Sequence, residues 1–79
     1  MIELPVLDPV MVGELKRLID NIKNDADIYG SMDQIAEMVV EYKLAEKKAY
    51  KPILQSVCTL IREKGFPQTA AFAEKDWRL

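Results

Sequence analysis

A chain of 79 residues with 49 % apolar and 30 % charged side chains suits one folded domain and is too apolar for disorder. One cysteine and no histidine exclude, within this chain, an internal disulfide, a four-ligand zinc site and any Ser-His-Asp or Cys-His arrangement. The net charge of −2 and a pI near 5.0 stand against the strongly basic balance usual for nucleic-acid-binding domains.

A domain this small buries only about 60 % of its unfolded surface, so its stability is marginal without help. With disulfide and zinc removed from the usual helpers, well-packed helices, self-association or a partner remain. No apolar run approaches the roughly 20 residues that span a bilayer, and MIELPVLDP has neither a basic n-region nor a long h-region. The expectation is a cytoplasmic protein with no membrane association.

Residues 1–7 read as an extended lead-in lying on the core. A first helix is expected over about 9–24. Asp8 suits its N-cap, and Pro9 its first position, where the missing N–H would be unbonded anyway. Val10, Met11, Leu15, Leu18, Ile19 and Ile22 recur at steps of three and four and make one apolar face. Glu14 can reach Arg17, and Lys16 can reach Asp20, on the outer face. Gly13 weakens this helix and leaves room for another backbone.

DADIYG is the expected connection, with Gly30 at positive φ. Ser31 and Gln34 then fit a capping box that opens a second helix over about 32–49. Met32, Ile35, Ala36, Val39, Tyr42, Ala45 and Ala49 lie near one face of it. Met38 and Val40 widen the apolar surface, so this helix is expected to be covered on more than one side. Pro52 disfavours helical angles at Lys51, which predicts a break between Ala49 and Pro52 and a third helix over about 52–64. Ile53, Leu54, Val57, Cys58, Leu60 and Ile61 form its apolar face. Gly65 is expected as a left-handed C′ residue, with Phe66 touching Ile61. A short last helix is expected over about 69–77. No stretch alternates with the period of a half-buried strand. The chain therefore reads as all-α, a single domain 1–79 built as a small bundle of three main helices plus a short C-terminal one.

Charge is unevenly spread. Up to Glu41 there are nine acids and three bases, a balance of −6; from Tyr42 onward there are eight bases and four acids, a balance of +4. On the expected second helix Asp33, Glu37 and Glu41 stack near the N-terminal end. Lys43, Lys47 and Lys51 stack near the C-terminal end, with Lys48 beside them. Each group suits the dipole at its end of the helix. The same pattern would let two copies pair antiparallel, acidic half against basic half.

Asp25, Asp27, Gly30 and Asp33 fall at positions 1, 3, 6 and 9 of a calcium loop. Tyr29 and Ala36 occupy positions 5 and 12, where side-chain ligands belong, so a Gly turn and a capped helix start are the better reading. The three glycines are isolated and cradle no phosphate. Cys58, within VCTLI, reads as a buried small hydrophobe. No catalytic residue, cofactor or metal ligand is expected.

The run QTAAFAEK, residues 68–75, resembles the first helix of a helix-turn-helix, as does QIAEMV earlier. Only Asp76 to Leu79 come after the first, short of a reading helix, and VEYKLAEKK comes after the second without a Gly-type turn. Phe72 and Trp77 either seal the base of the bundle or anchor a partner. The expectation is a protein–protein interaction module: an adaptor, inhibitor or regulatory subunit. Trp77, Phe72, Tyr42 and Met38 are its candidate contacts, and Lys43, Lys47, Lys48 and Lys51 its patch for an anion or partner. A small dimeric DNA-binding regulator is the alternative.

Overall fold

The computed structural model describes residues 8–79, so the expected lead-in over 1–7 lies outside it. Among the described residues the protein is all-α. Helices α1 (Pro9–Lys23), α2 (Ile28–Glu41), α3 (Lys51–Glu63) and α4 (Pro67–Asp76) are joined by turns, with two 3₁₀ turns, Leu44–Glu46 and Lys48–Tyr50, between α2 and α3.

α1 begins as its sequence dictates. The Asp8 carboxylate accepts from the Val10 N–H at 2.9 Å, and Pro9 takes the first turn. Leu15, Leu18 and Ile22 are its buried stripe. No atom of the described residues comes within 4 Å of where a Gly13 Cβ would stand, so no neighbouring backbone uses that opening.

α2 starts four residues earlier than the capping-box reading places it. Asp27, left-handed at φ 50°, is the N-cap, and its carboxylate accepts from the Gly30 N–H at 3.3 Å. Gly30 is therefore helical rather than a positive-φ turn residue. Its lack of a side chain serves the cap instead, because a Cβ there would stand 2.3 Å from an Asp27 oxygen. Ser31 lies one turn inside the helix and is buried with Ile35 and Val39.

The helix also ends early, at Glu41, instead of running to residue 49. Lys43 turns left-handed (φ 53°), and the two 3₁₀ turns carry the chain back with Leu44 and Tyr50 buried beneath them. Burial of these two side chains overrides the helical propensity of LAEKKA. Consequently Lys43, Lys47, Lys48 and Lys51 do not stack on one helix. Glu41 is the last residue of α2, so the acids reach the end whose dipole disfavours them. Lys51 opens α3 with Pro52 in its first turn, where a missing N–H costs nothing, so the break is wider than the interval from Ala49 to Pro52.

All four helices stop at a left-handed residue: Asp25, Lys43, Gly65 and Arg78. Three of these ends carry the paired bonds of a Schellman turn. After α3, Phe66 N–H donates to the Ile61 carbonyl at 3.1 Å and Gly65 N–H to the Arg62 carbonyl at 3.2 Å. After α1, Ala26 and Asp25 bond back to Asn21 and Ile22; after α4, Leu79 and Arg78 bond back to Glu74 and Lys75. Pro67 then opens α4 two residues before its expected start.

α1 packs on α2 and α3 on α4, giving two helical hairpins. Tyr50, 3 % exposed, accepts the Asp8 N–H on its hydroxyl at 3.0 Å and joins the starts of α1 and α3. At their far ends Lys64 Nζ donates to the Lys23 carbonyl at 2.9 Å and pairs with Asp25 at 3.1 Å, while the Tyr29 and Phe66 rings meet edge to face. α1 and α3 thus run in the same direction, and α2 and α4 both return towards the end that holds the 3₁₀ turns. The backbone of α2 lies close to α1 and the first 3₁₀ turn but more than 8 Å from α3 and α4. Its outer face, with Ala36, Glu37, Val40 and Glu41 exposed, is open among the described residues, so the expected cover on more than one side is not found there.

Lys43→Gly removes the left-handed penalty of a side chain and should stabilise the fold by about 1 kcal/mol, read from chemical unfolding; no gain would mean that residue 43 is not left-handed. Tyr50→Phe leaves the Asp8 N–H without its acceptor and should cost about 1 kcal/mol in the same experiment.

Candidate functional site

The short α4 is held on α3 by small residues. Ala70 is fully buried and Ala73 partly so, which lets the two helices approach closely, and Arg62 on α3 pairs with Glu74 on α4. Trp77, one turn beyond Ala73, continues the same face and is 6 % exposed. Phe72 points the other way and is 74 % exposed. The two C-terminal aromatics therefore separate: the indole is taken into the core and the phenyl ring stays in solvent.

Because α2 and α4 return to the same end without meeting, a cleft of about 590 Å³ opens between their C-termini and the 3₁₀ turns. Val39, Ala45 and Trp77 supply its apolar floor, and the exposed Val40 stands at its margin. Lys43, Lys48, Lys51 and Arg78 surround it, with Glu46 and Asp76 among them. Two helix C-termini direct their carbonyl ends here, which favours the basic groups. Lys51 Nζ donates to the Arg78 carbonyl at 3.2 Å and ties the α3 start to the α4 end.

A second groove, of about 340 Å³, runs along the other flank of α2 against α1. Val10, Met11, Met38 and Tyr42 supply its apolar surface; Asp8, Glu14, Glu37 and Glu41 supply its charge. Arg17 hydrogen-bonds Glu14 and holds that carboxyl below its usual range. Between the grooves, the outer face of α2 presents Ala36, Glu37, Val40 and Glu41 as a shallow surface.

The expected contacts are thus divided. Trp77, Lys43, Lys48 and Lys51 converge on the basic cleft, Tyr42 and Met38 line the acidic groove, and Phe72 stands alone on α4. Lys47, exposed between the two 3₁₀ turns, is not among the cleft residues. Val39 and Ala45 were not legible as site residues, because they share the cleft with Trp77 only through the chain reversal at residues 42–50; Arg78, which adjoins Trp77 in the sequence, was missed as well.

The acids of the calcium-like loop have other tasks, Asp25 pairing with Lys64 and Asp27 capping α2. Cys58 is buried on α3, and burial, followed by the nearby Glu74 charge, pushes its thiol from 9.0 up to about 11. Comparison of the chain with protein-family models, curated proteins and solved structures gives no match.

The raised thiol pKa makes a pH prediction. A group that folding holds protonated contributes stability below its unfolded pKa and loses it as pH rises through the folded one. The stability difference between the native protein and Cys58→Ala should therefore be flat below pH 9 and shrink towards about pH 11. A difference constant across that window in chemical unfolding would show that the thiol ionises as readily in the fold as out of it.

Proposed function

We propose that this protein is a small protein–protein interaction module, acting as an adaptor, inhibitor or regulatory subunit without catalysis of its own, and that the basic cleft is its docking site. The observation that carries this reading is the convergence of four basic side chains around an apolar floor that includes a tryptophan. Aromatic floors with charged rims suit peptide capture: the apolar contact supplies affinity and the charges set partner and approach rate. The chemistry asks for an acidic, amphipathic segment, with carboxylates for the rim and an aliphatic side chain for the floor. A cytoplasmic setting suits the free thiol of Cys58.

Duplex DNA fits the cleft less well. Glu46 and Asp76 stand among its basic groups, and the Glu37 and Glu41 carboxylates lie on the neighbouring face of α2. The side-chain set supports a reading without catalysis: the chain holds no histidine, and its one thiol is buried and held protonated.

Trp77 is the only tryptophan, so its fluorescence reports the cleft directly. Titration with a helical peptide carrying glutamates on one face and leucines on the other should shift its emission. Lys48→Glu should weaken the peptide about tenfold. Binding of duplex DNA with a steep salt dependence, and no response to the peptide, would overturn the docking reading in favour of nucleic acid.

A further inference from the structure

The outer face of α2 carries its own complement. The basic cleft begins at Val40 and Lys43 on one side of this face, and the acidic flank, Glu37 and Glu41, lies on the other. Val40 sits between them, 75 % exposed. Among the described residues the ion pairs are Glu14–Arg17, Arg62–Glu74 and Lys64–Asp25, so none engages Glu37, Glu41 or the lysines of residues 43–51. An apolar strip with unpaired charges of opposite sign on its two sides is self-complementary under a two-fold rotation.

We propose that the occupant of the cleft is a second copy of this chain, docked so that the acidic flank of each α2 covers the basic rim of the other. The proposal rests on the docking reading of the cleft and gives that site its partner. Glu37 lies one turn before Val40 on α2, and Lys43 lies past the end of the helix on the basic side of Val40. In the proposed arrangement a two-fold axis passes near Val40, with Glu37 of each copy against Lys43 of the other and the two Val40 side chains against each other. A two-fold interface repeats every contact, so each charge pair counts twice. The paired copies cover the face that α1 leaves open and supply the association that a domain of this size commonly uses for stability.

Charge swaps test the register, because Glu37 and Lys43 are both exposed and their exchange leaves the core untouched. At high micromolar concentration and low salt the native protein should sediment as a dimer that loosens at high salt. Glu37→Lys sets lysine against lysine twice, and Lys43→Glu sets glutamate against glutamate twice. Each should weaken self-association about tenfold or more. An equimolar mixture of the two variants should recover the dimer, since both cross-contacts are then attractive, and an unfolded variant could not be rescued this way. A native protein that stays monomeric at low salt overturns the proposal. So does a dimer whose two variants fail to rescue each other, since that places the interface elsewhere. Peptide titration of the same native sample separates the two readings. A monomer that binds the acidic peptide sinks the dimer and leaves the docking site standing, and a monomer that ignores the peptide sinks both.

Discussion

Two 3₁₀ turns return the chain from the end of α2 to the start of α3, and they do it by burying Leu44 and Tyr50. The rest of the molecule depends on that reversal. It lays α3 alongside α1 in the same direction, with the Tyr50 hydroxyl holding the first backbone N–H before α1. Had α2 continued to residue 49, its last two turns would have added about 12 Å of helix and carried Leu44 and Tyr50 away from the core. α2 and α4 would then not finish at the same end, and no cleft would lie between them.

Ending four helices in short turns has a conformational cost, met mostly without glycine. Asp25, Lys43 and Arg78 take left-handed angles that a Cβ disfavours by roughly 1–2 kcal/mol each, and only Gly65 is free of the penalty. The Schellman bonds at three of these ends, and the Lys64 contacts to Asp25 and to the Lys23 carbonyl, offset part of it. At two of the ends the next residue along the chain specifies the turn. Leu44 is buried immediately after Lys43, and Phe66 packs on the core immediately after Gly65. A hydrophobic residue just past the helix end pulls the chain through the turn whatever side chain sits at the left-handed position.

The charges take their meaning from the same reversal. In one dimension the chain is an acidic half followed by a basic half. In three dimensions the basic residues from the 3₁₀ turns, the α3 start and the α4 end are gathered around Trp77, beside the α2 face that bears the acids. The indole is thus both a core residue and the floor of a surface. Phe72, which has the more exposed ring, lies on the far side of α4 and takes no part in that surface.

Local rules were enough for the all-α class, the Asp8–Pro9 start, the Gly65–Phe66 stop, the apolar face of α3 and that of α1 except for Val10, which stays exposed at the helix start. Each of these is set by residues within one or two turns of one another. Cys58 and the pairing of Glu14 with Arg17 were legible for the same reason. The boundaries of α2 were not. Ser31 and Gln34 offer a sound capping box, but Asp27 caps the helix one turn earlier, which puts Ser31 inside it and buries it with Ile35 and Val39. LAEKKA has good helical propensity, but extending the helix through it would have forgone the burial of Leu44 and Tyr50. Tertiary structure alone decided which lysines share a surface and which aromatic is exposed. Propensity favours one helical state by a few tenths of a kcal/mol per residue, whereas burying a large side chain outweighs several residues of it.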